Sequence, residues 1–278
     1  MAVDSCKASG QDQSLKIRSF SMANDLLFSR FIDQEFPGIY QVLSEVFLTS
    51  DPELSGLYQK MANDFDKEDW PPANFVSRKF FQSADDSFQE IYSKSPVIAV
   101  DLPSLLELDD GKEHKPTVVI LGQDSKSDRD CEGIRIGTPY ALHVKGCREI
   151  LKRTKLYFDM VYVLLELGYR VYLTDIFKVW VCNPERPYYG ARLPKVDRSR
   201  FIKVLKSELQ IVKPTALITW GNDAARSASA INLDFHHLKF LHPGGAANGA
   251  WKKLLGKSPT HVNKLEYWKK EIIKISDL

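Results

Sequence analysis

Short runs of β-branched and other apolar residues alternate with longer amphipathic segments from about residue 118 onward, and this alternation limits the possible folds most strongly. Four of these runs have the length and composition of buried strands. They are Val118–Leu121, Tyr169–Thr174, Ala216–Thr219 and Leu238–Leu241. Because strands that alternate with helices form parallel sheets covered on both faces, we predict a three-layer α/β/α sandwich with a central, mainly parallel, four-stranded sheet.

The segment before this alternation has a different pattern. Between Ser14 and about Tyr92, apolar residues recur at three- and four-residue spacing, and prolines divide the segment into several short helices. A charged stretch with a glycine turn follows at 107–115. We therefore predict a helical N-terminal region over residues 1–110 and an α/β domain over residues 111–278.

The formal net charge of +2 conceals an uneven distribution along the chain. Residues 1–117 contain 11 lysines and arginines against 20 aspartates and glutamates, whereas residues 118–278 contain 27 against 16. A basic half favours an anionic partner, and nucleic acid is the commonest one. A well-solvated protein surface is the alternative interpretation, and charge alone does not distinguish the two.

Several classes of protein are disfavoured by the sequence. It contains no run of 18 apolar residues and no hydrophobic signal core near Met1, so we expect neither a membrane-spanning nor a secreted protein. The four cysteines are widely spaced, without a CxxC pair or a cysteine–histidine cluster. We therefore expect no zinc site, no disulfide framework and a cytoplasmic location.

Polar residues follow each of the four predicted strands. They are Asp124, Asp175, Asn222 and His242, in chain order. Because the carboxyl ends of parallel strands meet at one edge of a sheet, we expect these side chains to converge there. Small residues beside them leave backbone N–H groups open to a phosphate. Each motif taken alone is more typical of an ordinary turn or tight loop, and it is their occurrence in order at the strand ends that favours a functional site.

In this order the four motifs resemble those of the uracil-DNA glycosylase superfamily. GQDSKSDRDCEGIRIG is similar to its water-activating loop, VYLTDIFKVWVCNPERP to its base-recognition strand, PTALITWGNDAARSA to the next strand and helix, and LHPGGAANGAWKK to its His-Pro minor-groove loop. The resemblance covers about residues 118–255. It implies an enzyme that cleaves the N-glycosidic bond of a base flipped out of DNA, with double-stranded DNA as partner and a monomeric state.

The resemblance assigns the two catalytic roles. Asp124 corresponds to the carboxylate that orients the attacking water and stabilises an oxocarbenium-like sugar. His242 corresponds to the donor that hydrogen-bonds O2 of the departing base. The alternatives are that Asp124 caps a turn and that His242 is a packed or surface histidine.

The sequence departs from the family at the base-recognition position. The family places an asparagine there, with its amide N–H₂ facing O4 of uracil and its carbonyl facing N3–H, whereas this chain has Asp175. A protonated aspartate in an apolar pocket accepts from the N4 amino group of cytosine and donates to N3. Asp175 therefore favours cytosine as the substrate base, although it is equally suited to cap the following turn.

The sequence also departs from the family at the position that contacts C5 of the base. The best-known branch of the family has a tyrosine there, which excludes the methyl group of thymine, and this chain has Lys126. A flexible polar side chain leaves room for hydroxymethyl or glucosyl-hydroxymethyl cytosine. Removal of unmodified cytosine would destroy the host genome, so we expect a defence glycosylase against modified phage DNA. A phosphate contact is the alternative role of Lys126.

The remaining expectations concern contacts and cofactors. The expected base contacts are Gln123, Lys126, Ile136, Tyr140, Asp175, Phe177 and Trp220. The expected phosphate contacts are Ser125, Ser127, Gly244, Gly245, Asn248, Lys252 and Lys253. Because the cysteines of the iron–sulfur branch are missing, we expect no cluster, metal or other cofactor. Uracil excision and a catalytically silent DNA-binding module are the alternative functions.

Overall fold

The computed structural model describes residues 26–28, 32–68, 74–112, 114–125, 133–231 and 236–276. Its strands are Leu26–Phe28 (β1), Asn74–Phe75 (β2), Val97–Asp101 (β3), Ser104–Leu108 (β4), Thr117–Asp124 (β5), Gly133–Gly137 (β6), Arg170–Phe177 (β7), Val179–Asn183 (β8), Arg186–Gly190 (β9), Ala216–Trp220 (β10) and His236–Phe240 (β11). Its α-helices are Ile32–Glu35 (α1), Ile39–Leu43 (α2), Asp51–Asn63 (α3), Asp86–Lys94 (α4), Lys152–Glu166 (α5), Lys195–Val212 (α6), Asn222–Ile231 (α7), Asn248–Leu255 (α8) and His261–Ser276 (α9). Short 3₁₀ helices lie at Pro139–Ala141 and Gly245–Ala247, and a π-helical turn lies at Gly146–Ile150.

The main sheet has six strands in the order β1-β4-β7-β5-β10-β11. Its last four strands are parallel neighbours and correspond to the four strands expected from the sequence. The central residues of β5, β7 and β10 are buried on both faces, as parallel strands covered by helices require. The expected three-layer α/β/α fold is confirmed, and two antiparallel strands extend the sheet beyond the four expected.

The helices divide into two layers. Helix α5 connects β5 to β7 and packs against α9, whereas α6 and α7, which follow β7 and β10, pack against each other. Strand β7 is added on one side of β5, whereas β10 and β11, which come later in the chain, are added on its other side. Because parallel crossovers are right-handed, this reversal places α5 on one face and α6 and α7 on the other.

The N-terminal region is not purely helical in its described part. Strand β4 pairs with β7 in antiparallel fashion, and β1 pairs with β4. Leu105 and Leu106 of β4 belong to the same hydrophobic core as Val171 of β7. The acidic region and the basic region therefore share one sheet and one core, across the boundary placed at residue 110.

A second sheet adjoins the carboxyl ends of the main strands, in the order β2-β6-β3-β8-β9. Strand β8 begins directly after β7, so the chain passes from one sheet to the other at Lys178. Two hydrogen bonds join β3 to this junction: the hydroxyl of Ser125 donates to the carbonyl oxygen of Ala99 at 3.0 Å, and the amide of Asp101 donates to the carbonyl oxygen of Lys178 at 3.1 Å. The end of β3 thus lies beside the ends of β5 and β7.

A buried ion pair with α6 also holds the junction between β7 and β8 in place. The ammonium group of Lys178 lies 2.6 Å from the carboxylate of Glu208 on α6, and neither side chain is exposed. Lys178 also donates to the hydroxyl of Thr174 and to the backbone carbonyl of Asp175, each at 2.9 Å. The pair therefore holds α6 and the end of β7 in a fixed relation.

Candidate active site at the carboxyl ends of the strands

Asp124 is the last residue of β5, and its side chain is exposed. The chain after β5 leads to α5 on one face of the sheet, whereas the chain after β7 and β10 leads to helices on the other face. Diverging connections of this kind leave a crevice beyond the strand that lies between them. The side-chain amide of Gln123 donates to the carboxylate of Asp124 at 3.3 Å. The topology thus presents Asp124 in a crevice.

A cavity of about 1220 Å³ opens at this point. Gln123, Asp124 and Phe177 form its wall at the ends of β5 and β7. Four basic side chains also line it, from the segment before α6, from α6 itself and from α7: Arg192, Lys195, Arg198 and Arg226. The guanidinium group of Arg198 lies over the ring of Phe177 at 5.5 Å. The cavity therefore combines a carboxylate at its wall with a mainly basic lining.

Asp175 lies on β7 next to Gly122 of β5 and is 2% exposed. A Cβ atom on residue 122 would overlap the Oδ1 atom of Asp175 and would lie 2.9 Å from the hydroxyl oxygen of Tyr140. The carboxyl of Asp175 and the phenol of Tyr140 thus both lie over the bare backbone of Gly122. Burial makes ionisation of Asp175 costly, because its charge would be largely removed from water.

Asp101, the last residue of β3, supplies a second carboxyl group to this location. The side chains of Asp101 and Asp175 lie within hydrogen-bonding reach of each other, so one of the two carboxyls has to carry a proton for them to bond. Asp101 is half-buried, whereas Asp175 is closed off from solvent. No sequence pattern indicates this pair, because Asp101 follows an apolar run in the region expected to be helical.

The electrostatics of the pair favour a proton on Asp175. Burial, followed by the negative charges of Asp101 and Asp124, raises the pKa of Asp175 well above its ordinary value. Burial also raises the pKa of Asp101 to about 7, while the hydrogen bond from Asp175 and the charge of Lys178 oppose that rise. At neutral pH Asp175 is therefore the neutral, proton-bearing member of the pair.

Four rings form a cluster that reaches Asp175 through Tyr140, and we call Tyr140, Tyr157, Trp220 and His242 the aromatic cluster. Tyr140 and Tyr157 are stacked with their centroids 4.2 Å apart and an interplanar angle of 16°. The centroid of Tyr140 lies 5.4 Å from that of Trp220 and 6.4 Å from that of His242. The cluster joins the ends of β10 and β11 to the carboxyl pair on β3 and β7.

His242 is fixed in one tautomer by the loop that follows it. The backbone N–H of Gly244 donates to Nδ1 of His242 at 3.1 Å, so the neutral ring carries its proton on Nε2. Burial, and then the charge of Lys264, lower the pKa of His242. The indole N–H of Trp251 donates to the carbonyl oxygen of His242 at 2.8 Å and anchors the loop. His242 is therefore a neutral N–H donor at neutral pH.

The structure places the expected base contacts in three environments. Gln123 and Phe177 line the cavity, and Tyr140 and Trp220 belong to the aromatic cluster, where Trp220 is 1% exposed. Ile136 is buried in β6 and pairs with Val100 in the second sheet, so its side chain belongs to the core.

The expected phosphate contacts are scattered. Ser125 is buried and its hydroxyl is bound to Ala99, whereas Lys252 and Lys253 are exposed on α8. Gly245 and Asn248 are also at least partly exposed, and the side-chain oxygen of Asn248 accepts a hydrogen bond from Lys264 at 2.8 Å. Gly244 approaches Tyr157, with the phenol oxygen 2.7 Å from the position of a Cβ atom. Lys126 and Ser127 lie outside the described residues.

The described part of the chain contains neither a group of side chains suited to bind a metal nor a membrane-spanning helix. It contains no group of three or more histidine, cysteine, aspartate or glutamate side chains placed to hold a metal ion. None of its helices has both the length and the apolar character needed to cross a membrane.

Residues that the sequence did not single out complete the site. They are Asp101, Tyr157 and the basic residues of the cavity, and no local motif marks any of them. No model of a known protein family matches this sequence, and a search of curated proteins found no match. Function therefore has to be inferred from the geometry and chemistry of the site.

Proposed function

We propose that the protein is a DNA glycosylase that hydrolyses the N-glycosidic bond of a flipped, 5-modified cytosine and leaves an abasic site. The observation that carries the proposal is the buried carboxyl of Asp175 beside the aromatic cluster, where burial raises its pKa well above the ordinary value. A neutral carboxyl group offers one donor and one acceptor, which the edge of cytosine requires at N3 and N4. Enzymes that act on a base take it out of the helix and bind its edge in such a pocket.

The reaction needs two further groups, and both follow parallel strands of the main sheet: Asp124 ends β5, and His242 follows β11. Asp124 accepts a proton from a water molecule as the water oxygen bonds to C1′ of the sugar, and its charge stabilises the cationic sugar. The bond between C1′ and N1 of the base breaks, and its electron pair goes to the base. The Nε2–H group of His242 donates a hydrogen bond to O2, where negative charge develops.

Access to Asp175 requires one movement. In the free protein the phenol of Tyr140 lies beside the carboxyl of Asp175 over Gly122. Tyr140 and Ala141 have φ angles of 59° and 53°, in the left-handed region that is unfavourable for residues other than glycine. We infer that the flipped base displaces the Tyr140 hydroxyl and stacks on the ring of Tyr140 or Tyr157.

The basic cavity is the proposed track for the DNA strand next to the flipped nucleotide. Arg192 precedes α6, Lys195 and Arg198 lie in its first turn, and Arg226 lies on α7. Arg226 forms an ion pair with Asp223, which reduces its charge in the free protein. The remaining cations favour phosphate groups close to Asp124.

The proposed target is cytosine that carries a hydroxymethyl or glucosyl-hydroxymethyl group at C5. This preference rests on Lys126 in the first loop and on the harm that removal of unmodified cytosine would cause to the host. The protein would then act in the cytoplasm as a monomer on double-stranded phage DNA. Uracil excision is the second candidate, because a neutral carboxyl also matches N3–H and O4 of uracil if its two oxygens exchange roles.

A panel of duplex oligonucleotides tests the proposal. Each contains one uracil, cytosine, 5-hydroxymethylcytosine or glucosylated 5-hydroxymethylcytosine, and abasic sites are revealed by alkaline cleavage. We expect release of the modified cytosines, loss of release in Asp124→Asn, and a shift of release towards uracil in Asp175→Asn. Release of uracil alone by the wild-type protein would contradict the cytosine assignment. Binding without any abasic product, unaffected by Asp124→Asn, would instead identify a DNA-binding module.

The salt dependence of binding tests the proposed track. Arg192→Ala and Arg198→Ala should each weaken binding and reduce the slope of log K against log salt by about 0.9 for every phosphate that the variant no longer neutralises. Lys252→Ala and Lys253→Ala on α8 test the alternative track along the His242 loop. Reduced slopes confined to the two lysine variants would place the DNA on the His242 loop, as the sequence predicts.

A further inference from the structure

The hydrogen bond between Asp101 and Asp175 limits how Asp175 can use its proton. Asp175 has one O–H group when it is protonated, and while Asp101 is ionised that group is donated to Asp101. While it does so, the other oxygen of Asp175 faces a bound base only as an acceptor. That arrangement suits N3–H of uracil, but it provides no donor for N3 of cytosine.

We propose that Asp101 is a specificity-determining positioning residue, which sets the direction of its hydrogen bond with Asp175 and thereby decides which oxygen of Asp175 carries the proton. This inference rests on the proposed function. When Asp101 is protonated, its own O–H donates to the nearer oxygen of Asp175, and the proton of Asp175 moves to the oxygen that faces N3. The nearer oxygen then also accepts from the N4 amino group, which completes the match to cytosine.

The surroundings of the pair are suited to this control. Asp124 and Lys178 are the other charged groups that act on both carboxyls, with opposite signs. The ammonium of Lys178 is already bound by Glu208 and points to the backbone oxygen of Asp175. Tyr140 contributes a neutral phenol, since burial and the nearby carboxylates raise its pKa well above 10.

Asp101 is also the more exposed member of the pair. It is half-buried at the end of β3, whereas Asp175 beneath it is 2% exposed. Burial raises the pKa of Asp101 to about 7, so its protonation changes close to neutral pH. The cytosine-matching form of Asp175 should therefore become less populated as the pH rises through about 7.

The pH dependence of base release tests the proposal. Single-turnover release of 5-hydroxymethylcytosine from duplex DNA is measured between about pH 5.5 and pH 9 for the wild-type protein and Asp101→Asn. We expect the wild-type rate to fall by about tenfold per pH unit above the pKa of Asp101. Asp101→Asn should lack this alkaline decrease, because its amide N–H₂ group donates to Asp175 at every pH. The ratio of uracil release to cytosine release should rise with pH in the wild-type protein alone.

A matched control variant distinguishes an effect of Asp101 from the general effect of removing a buried carboxyl. Asp64→Asn removes a different buried carboxyl, which pairs with Lys67, and should keep the wild-type pH profile. The same alkaline decrease in Asp101→Asn as in the wild-type protein would overturn the proposal. So would an equal loss of rate in Asp101→Asn at every pH, since that is the result of a purely structural role.

A second measurement needs no catalytic activity. Carbon-13 resonances of aspartate carboxyls are followed by NMR while the free protein is titrated. We expect one resonance that titrates near neutral pH in the wild-type protein and is missing in Asp101→Asn. If the wild-type protein released no base at all, the proposed function would fail, and this titration would still decide the claim about Asp101. The absence of a near-neutral carboxyl titration would overturn it.

Discussion

A Cβ atom on residue 122 would overlap the Oδ1 atom of Asp175, so the position of this carboxyl depends on a glycine one strand away. The two residues are direct neighbours in the register of β5 and β7. A close approach of this kind is possible only where the partner backbone carries no side chain. Gly122 therefore makes room for the proposed base-recognition carboxyl, two residues before the aspartate proposed to orient the water.

Gly122→Ala should displace Asp175 and impair both folding and base release. We expect a loss of about 1–3 kcal/mol in the free energy of unfolding, typical of overpacking, measured by urea denaturation. Gly249→Ala is the matched control, because no atom lies within 4 Å of a Cβ there and alanine favours the helix α8. Unchanged stability and base release in Gly122→Ala would show that Asp175 does not need its present position.

His242→Ala should lower the rate of base release without a comparable loss of DNA affinity. His242 is held as an Nε2–H donor by Gly244, and removal of one such donor to a developing anion costs about 10²- to 10³-fold in rate. Single-turnover kinetics measure the rate, and fluorescence anisotropy measures the affinity. His237→Ala, whose ring contacts Thr219 at 3.0 Å, is the control and should retain the rate. Equal effects in both variants would argue against His242 as the donor to O2.

Lys178→Met should destabilise the protein strongly. It leaves the carboxylate of Glu208 buried without its cation, at an expected cost of about 3–5 kcal/mol. The double variant Lys178→Met with Glu208→Leu removes both charges and should recover much of that loss. Chemical denaturation of the single and double variants gives the comparison. A double variant as unstable as the single one would mean that the pair matters for packing and not for charge.

Asp101→Asn should be more stable than the wild-type protein at alkaline pH. The pKa of Asp101 is about 7 in the folded protein and 3.8 ordinarily, so the folded state holds this proton more tightly. The cost of ionising it grows as the pH rises from about 4 to 7 and is complete above 7. We expect a gain at about pH 8 that vanishes near pH 4, with about 4 kcal/mol as its upper limit at about 1.4 kcal/mol for each pKa unit, measured by denaturation. A gain that is equal at both pH values would not come from this ionisation.

Local patterns predicted the four parallel strands because each is a continuous apolar run followed by a helical period. The placement of Asp124, Asp175 and His242 follows from that prediction, since the ends of parallel strands share one edge. The register of β5 and β7 also places Asp175 beside Gly122, so residues of two separate motifs meet there.

The second sheet has no comparable signal. Strand β3 pairs with β6 and β8, whose residues are distant in the sequence, and neither β8 nor β9 is among the four strands expected from the sequence. Pairing of short strands over such distances depends on packing and not on local periodicity. Asp101 was missed for this reason, and Ile136 was assigned to the base because its burial in β6 was not visible in the motif.

Strand β4 has a consequence for the order in which the protein is made. The ribosome synthesises residues 104–108 before residues 170–177, so β4 leaves the ribosome before its partner β7 exists. Until then Leu105 and Leu106 lack the neighbours that bury them, and one edge of β4 is open to other chains. The acidic half of the protein therefore cannot complete its fold until the basic half has been synthesised. A chain that terminated between the two halves would be prone to aggregate.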